Sequence, residues 1–515
     1  MLRLLLVAVW ATITVLPQLS GQIKHDNIWI MGYPTAGVPD PLWGGTLIKF
    51  DTMPPETQYF NIPFELNASA TICDAFGSLL FYTNNCEIAN RQHQIMKNGS
   101  GLNVGGYAHW NTCQREGGYP THQGALILPW PGKTDQYFLF HLHRPGQTDQ
   151  LIRRLLYTKV DMRGDGGLGE VVEKNTEAWR DTFTDQMTAV RHANGRDWWI
   201  VLAKYNALVW FSFLVSPQGI APPIVQRLKA SGIPNWGIGM QATFSPNGKW
   251  YINCNHTEGL QIFPFDRCSG RLSNPVIVDW LPEDQHDAVG VAVSPSSRYI
   301  YARGGRKNLY QFDLNADTIA HSRILVDSFD GYSEYGVPIT FYQLMTAPNG
   351  KIYMTATNGV RYLHVINSPN LAGRDCNFVQ RGLPLKGFNG PSLPNFPHFR
   401  LFDVPGSVCD TLGIDGKPTP DDTLRPIRLL PRPCEGDFSL WPNPASVSTL
   451  LVLPACGVGR VDMYDAVGRL VLHFPIPAGS RDIPIEVLLL PAGLYFLQVR
   501  TQNGGRVVKP LAVVR

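Results

Sequence analysis

Ser245-Pro-Asn-Gly-Lys-Trp-Tyr-Ile252 decides the fold, because the chain repeats it as Ser294-Pro-Ser-Ser-Arg-Tyr-Ile-Tyr301 and as Ala347-Pro-Asn-Gly-Lys-Ile-Tyr-Met354. Each copy is a Pro/Asn/Gly turn followed by aromatic and β-branched residues, the pattern of a turn feeding a strand. Looser copies lie upstream at Ala75-Phe-Gly-Ser-Leu-Leu-Phe-Tyr82, Pro131-Gly-Lys-Thr-Asp-Gln-Tyr-Phe138 and Ala193-Asn-Gly-Arg-Asp-Trp-Trp-Ile200. Successive turns fall roughly 50 to 60 residues apart, which suits one four-stranded blade per repeat.

Working outward, Asn27-Ile-Trp-Ile-Met31 and Thr46-Leu-Ile-Lys-Phe50 are expected to pair with Phe399-Arg-Leu-Phe402 and supply a seventh blade. Joining the first strands to the last leaves no long sheet edge open. The expected fold is all-β: a seven-bladed β-propeller over residues 23–405, then a small C-terminal β-sandwich over residues 437–515. Eight blades or an irregular six are the alternatives at this spacing. Between the two domains, residues 406–436 hold Asp415-Gly-Lys-Pro-Thr-Pro-Asp-Asp422 and Leu430-Pro-Arg-Pro-Cys434, Pro-rich and without apolar periodicity, which reads as an extended linker.

Composition agrees with this outline. Among 515 residues, 49 Gly, 41 Pro and 11% aromatics favour short strands and turns over long helices. A net charge of +3 with 17% charged residues gives no surplus for a nucleic acid partner. Residues 1–21 read as a signal peptide: Arg3 precedes the apolar run Leu4 to Leu16, and Leu19-Ser20-Gly21 supplies small residues for cleavage. That run is short for a membrane span, Gln22 stands where a lipoprotein would carry Cys, and no transmembrane anchor is expected in the mature chain. Nine Cys in an exported chain permit disulfides. Cys73 with Cys86, Cys254 with Cys268, and Cys409 with Cys434 are close enough in sequence to be candidate pairs, although spacing alone does not fix connectivity.

The end of the chain carries a second signal. Leu440-Trp-Pro-Asn-Pro-Ala445, Met463-Tyr-Asp-Ala-Val-Gly-Arg-Leu470, Leu490-Pro-Ala-Gly-Leu-Tyr-Phe-Leu-Gln-Val499 and Lys509-Pro-Leu-Ala-Val-Val514 follow in order. This arrangement resembles the C-terminal sorting domain of cargo of the type IX secretion system of Bacteroidota. Pro442, Asn443, Pro444, Gly468, Arg469 and Gly493 carry its motifs. Physically they set a stiff turn and two register-fixing turns in a strand-rich domain. The resemblance implies recognition by the outer-membrane translocon and sorting machinery, and an extracellular or cell-surface destination. The propeller segments Leu79-Leu-Phe-Tyr-Thr-Asn84, Thr188-Ala-Val-Arg-His-Ala-Asn-Gly195 and Leu393-Pro-Asn-Phe396 resemble a family of secreted Bacteroidota propellers found with sorting or gliding-motility-type C-terminal domains. Longer members carry a PKD-like domain between the two parts, and the span from Val404 to Asp437 has no room for one.

Candidate chemistry is sparse. Gly164-Asp-Gly-Gly-Leu-Gly169 fits G-x-G-x-x-G, yet strand-like Glu170-Val-Val-Glu-Lys follows where a helix is required, so a hairpin is expected. Asp161 and Asp165 are too few oxygen donors for Ca²⁺. His141 and His143 alternate along one strand and share a face, with His122 and Asp135 near in sequence. A catalytic zinc needs three protein ligands and an orienting shell, so no metal or other cofactor is assigned. Arg191-His192 precedes a turn, and Arg163 and the doublet Arg153-Arg154 lie one blade earlier; gathered at an end of the predicted channel, these residues either converge on a carboxylate or sugar or brace neighbouring blades. Trp198, Trp199, Trp210, Trp236, Trp250 and Trp280 read as blade-interface residues before they read as a sugar platform. There is no G-x-S-x-G, Walker loop, H-E-x-x-H or papain-like Cys box. The sequence thus points to a binding or scaffold module, more consistent with a non-enzyme, with an extracellular ligand. Its alternative is a secreted hydrolase or lyase acting on glycan or peptide at the channel, with Arg191, His192 or His141 in the site.

Overall fold

The computed structural model describes residues 23–34, 42–66, 69–115, 117–149, 151–228, 241–255, 259–284, 290–305, 307–357, 359–414, 438–441, 443–446, 448–452, 458–475, 482–488, 490–501 and 506–514. The segment expected to be a signal peptide (residues 1–21), Trp236, most of the expected linker (residues 406–436), Cys434 and Pro442 lie outside them. The chain divides into two units, residues 1–426 and 427–515.

The first unit is a β-propeller. Each of the six repeat turns opens a blade: it joins the inner strand to the second. The pairs are Ala70–Cys73 with Leu79–Thr83, Ala125–Pro129 with Gln136–His143, and Thr188–Arg191 with Trp198–Ala203. The series continues with Gln241–Phe244 and Trp250–Asn255, Val291–Val293 and Tyr299–Gly304, and Leu344–Thr346 and Ile352–Met354. Outer strands then complete blades 2 to 7. Blades 2 and 3 touch edge to edge through one parallel pairing, Lys97 with Glu170. Turn chemistry explains the repeat. Gly248 sits at φ 69°, and in the copy that lacks Gly, Ser297 takes the same left-handed backbone at φ 61°. A Cβ on Gly248 would lie 2.7 Å from Arg267 Cδ, so the turn also needs the space.

Blade 1 departs from expectation. Ile28–Gly32, Gly45–Lys49 and Glu56–Phe60 form a three-stranded sheet among the described residues, and Phe399–Phe402 is not a strand. Pro394 and Pro397 remove two amide donors from the approach to it, which keeps the chain leading into it from running as a regular strand. Residues 391–404 instead run down the middle of the ring. Leu393 N donates to Gln343 Oε1 (3.2 Å) beside blade 7, and Asn395 N donates to the Ser69 carbonyl (3.0 Å) beside blade 2. Asn395 Nδ2 donates to the Ala125 and Met187 carbonyls (3.0 and 2.8 Å) at blades 3 and 4. His398 Nε2 meets the Phe244 carbonyl (3.0 Å) of blade 5, and Phe396 stacks on Trp29 of blade 1 at 6.2 Å. The ring therefore closes around a hydrogen-bonded segment that touches most of its blades.

Blade interfaces hold the core. Trp210 packs against Phe263 (4.9 Å) across blades 4 and 5, and Ile252, Ile262, Ile300 and Phe312 are fully buried between blades 5 and 6. Trp198, Trp199 and Trp280 are likewise buried.

The expected cysteine pairings are corrected. Cys86 bonds Cys113, and Cys268 bonds Cys409; Cys73, Cys254 and Cys376 are free and buried. Neighbours in sequence fail to pair because Cys73 and Cys254 point into blade cores. Cys268 and Cys409, 141 residues apart, meet where the closing segment leaves the ring.

The second unit has two sheets. Ser439–Trp441, Ser448–Val452 and Asp482–Glu486 form one, and Leu470–Pro475, Val458–Asp465, Gly493–Thr501 and Arg506–Val513 form the other in that spatial order. Leu451, Val461, Met463, Leu497 and Leu511 are buried between them, which makes the unit a small sandwich.

Candidate functional site

The lower face of the propeller carries the hairpins between first and second strands; the upper face carries the connections between blades and between second and third strands. Arg191 and His192 sit on the lower face, and both are engaged there. Arg191 Nη1 donates to the Gly195 and Arg196 carbonyls (3.3 and 3.2 Å), and its guanidinium lies over Trp198 at 4.2 Å. His192 Nδ1 accepts from Asn194 N (3.0 Å), and Nε2 meets the Cys268 carbonyl (3.1 Å) on the next blade. Arg267 Nε donates to the Arg191 carbonyl (2.7 Å), and its Nη2 donates to the carbonyls of His192 and Phe402. Burial, reinforced by the nearby Arg191 charge, lowers the Arg267 pKa to about 10. With the Cys268–Cys409 disulfide beside them, these groups join blades 4 and 5 to the closing segment.

His141 and His143 share a strand face as expected but do not form a metal pair. His141 is fully buried with both ring nitrogens taken, Nδ1 by Asn103 Oδ1 (2.8 Å) and Nε2 by Thr158 Oγ1 (3.0 Å). Burial holds it neutral, with a pKa lowered to about 3. His143 is also buried and its ring nitrogens lack hydrogen-bond geometry, although the Gly105 and Val104 backbone lies near enough to favour its charged form. Burial outweighs this and lowers its pKa. Among the described residues no three His, Cys, Asp or Glu gather as a metal set. Asp161 is committed to Arg163 (2.9 and 2.5 Å), and Gly164–Gly169 is the hairpin between Ile152–Asp161 and Glu170–Phe183.

Glutamine amides close the upper end of the channel. Gln241 Oε1 accepts from Val291 N and Leu344 N (3.0 and 3.1 Å), tying blade 5 to blades 6 and 7. Gln123, preceding blade 3, pairs both amide atoms with the Ala242 backbone of blade 5 (2.8 and 3.0 Å). At the rim, His122 Nδ1 lies 3.8 Å from the fully buried Asp185, and its ring meets Tyr342 edge-on at 5.5 Å. Asp185 also offsets the burial that lowers the Arg144 pKa.

The upper end of blade 3 holds a pocket of about 250 Å³ lined by Pro145, Arg153, Arg154, Arg180, Asp181 and Thr182. Sequence reading groups Arg153 and Arg154 with Arg191 and His192 at a channel end; the structure sets them instead beside Arg180, which sequence reading does not name because it joins them only through the pairing of two outer strands.

The second unit places the tail motifs. Asn443 donates from Nδ2 to the Pro510 carbonyl (2.8 Å) and accepts from Ala512 N at Oδ1 (3.0 Å), clamping the last strand. Asp465 Oδ1 accepts from Val467 N and Arg469 N (3.0 and 2.8 Å), closing a turn in which Gly468 takes φ 84°. Gly493 starts the strand that pairs with that last strand. Residues 439–513 match the family model described as a secretion system C-terminal sorting domain. This tail is a sorting domain. It marks the chain for export by the type IX secretion system to the cell surface or the extracellular space. No curated protein matches the chain in sequence.

Among solved structures the chain is similar to several at low identity. PorZ, a surface component of the type IX system of Porphyromonas gingivalis, is 12% identical, with 92% of this chain and 68% of that chain covered and a TM-score of 0.32. A periplasmic gluconolactonase of Pseudomonas aeruginosa is 12% identical, with 89% and 99% covered and a TM-score of 0.35. A protein of unknown function from Desulfotomaculum acetoxidans is 12% identical, with 72% and 99% covered and a TM-score of 0.39. No helix among the described residues is long and apolar enough to cross a membrane.

Proposed function

We propose that the exported chain acts outside the cell as a binding or scaffold module, its propeller presenting ligand surfaces rather than carrying out chemistry. The observation that supports this reading is the filled channel. A site assembled from loops around a propeller axis needs an open mouth, and residues 391–404 with Gln123 and Gln241 occupy that space. Of the residues on which a channel hydrolase would rest, His192 and His141 have both ring nitrogens engaged by neighbouring groups, and Arg191 directs Nη1 to the Gly195 and Arg196 carbonyls while its guanidinium lies over Trp198. Among the described residues the His122–Asp185 pair at the upper rim is a further acid–base candidate, and at 3.8 Å it is beyond hydrogen-bond reach.

The test is capture with the full chain at the cell surface, by crosslinking and identification of partners, alongside a panel of glycan and peptide substrates. Saturable partner capture without turnover is the expected result. Turnover that disappears in His122→Ala would replace the reading with the hydrolase.

A further inference from the structure

The pocket at the upper end of blade 3 brings together positive charges that strand pairing would normally keep apart. Arg154 stands directly opposite Arg180 on the outermost strand and directly opposite His143 on the second strand. Directly paired residues share a sheet face, so two guanidiniums and the uncharged ring of His143 lie in one row across three strands. Like charges opposite each other are unfavourable in a sheet, so the Arg154–Arg180 pair costs stability unless something offsets it. Arg153 adds a third guanidinium beside a register shift between Ile152 and Arg154.

The acids present compensate only in part. Arg153 holds Asp149 (2.6 Å), and Arg180 takes Glu177 through Nε and Nη2 (3.1 and 2.9 Å). Arg154 has a 3.4 Å ion pair with that same Glu177 and, among the described residues, no side-chain hydrogen bond. Asp181 is committed to Lys204 (2.5 Å). Two carboxylates thus serve three guanidiniums at the pocket wall, and Arg154 has its donors to spare. His143, nine-tenths buried behind it, has no hydrogen-bond geometry at either nitrogen.

We infer that this pocket binds the oxyanion group of an acidic saccharide, a carboxylate or a sulfate ester, with Arg154 as the main fork and Arg180 and Arg153 beside it. A planar guanidinium offers two parallel donors to such a group. The volume of about 250 Å³ is several times the ~30 Å³ share of a water molecule, so there is room for a sugar ring behind the anion. Pro145 and the arginine stems give that ring an apolar wall. The inference rests on the binding-module reading in that the ligand is held and not converted.

Titration calorimetry of the full chain with glucuronate, glucose 6-sulfate and glucose tests it. At least one of the two anions is expected to bind saturably at one site, weaken as salt is added, and outcompete neutral glucose. Whichever anion binds identifies the group. Arg154→Gln is expected to weaken that binding at least ~10-fold, the loss of one charge-assisted bond, at an unchanged melting temperature. Arg154→Lys keeps the charge but not the fork and should recover only part of it. Absence of heat with both anions, equal binding of glucose, or full affinity in Arg154→Gln at native stability would overturn the inference. Partner capture would then still stand by itself. If Arg154→Gln melts early, Arg180→Gln is the second variant and must show the same loss.

Discussion

Arg400 grips Asp26 with both arms of its guanidinium, Nη1 to Oδ2 at 2.8 Å and Nη2 to Oδ1 at 2.6 Å, across 374 residues of sequence. The pair lies where the closing segment passes the start of the propeller, and Asp26 is 8% exposed. Truncating the arginine leaves a buried carboxylate without its partner. Arg400→Ala should therefore cost roughly 3 kcal/mol, visible as a lower denaturant midpoint, while Asp26→Asn should cost less because an amide is cheaper to bury. Equal, negligible effects from both would mean the pair has no part in closing the ring.

Asn395 is the second lock. Replacing it by Ala removes donors to the Ala125 and Met187 carbonyls at the centre of the ring, where water does not readily replace them. The expected loss is about 2 to 4 kcal/mol, at the upper end of single polar deletions. Hydrogen exchange should report the opening first in blades 3 and 4. A native exchange pattern there would count against a structural role for the segment.

Acid should weaken the propeller through His141. Its unfolded pKa is near 6.5 and its folded value about 3, so unfolding takes up a proton between those limits. The contribution is complete above pH 6.5 and is lost as pH falls toward 3, on the order of 2 kcal/mol by pH 5. His364, lowered to about 4 by burial, acts in the same direction. Urea midpoints at pH 7 and pH 5 check this; an unchanged midpoint would contradict a neutral buried ring.

Peptide mapping under non-reducing conditions should recover Cys86 linked to Cys113 and Cys268 linked to Cys409. By loop length, Cys268→Ser with Cys409→Ser should cost roughly 5 kcal/mol and the Cys86–Cys113 pair roughly 3.5. A Cys73–Cys86 or Cys254–Cys268 peptide would show that the thiols pair by sequence proximity after all.

Removing residues 437–515 takes away the sorting domain. The truncated chain should accumulate in the periplasm, with no propeller at the surface by protease accessibility. Surface display of the truncation would disconnect export from the tail.

Much of the fold was legible because its turns are chemical. Pro246, Asn247 and Gly248 mark one hairpin, and Pro348, Asn349 and Gly350 another, by residues that favour a tight reversal. The closing segment was misread because Leu393-Pro-Asn-Phe-Pro-His-Phe399 has no strand period, and its partners are side-chain amides on distant blades. The disulfides were misread because distance along the chain does not measure distance around a ring. The Arg153–Arg154 doublet could be seen, but the row from His143 to Arg180 exists only through strand register.

Because the segment that fills the middle of the ring is the last stretch of the propeller to be synthesised, order of synthesis becomes a checkpoint. The first blades emerge with their inner partner still unmade, and the assembly is completed only when residues near 400 arrive. A polypeptide that stops short of that point lacks both the central lock and the export address encoded after it. The residues that lock the ring and the residues that address it for export thus follow one another along the chain.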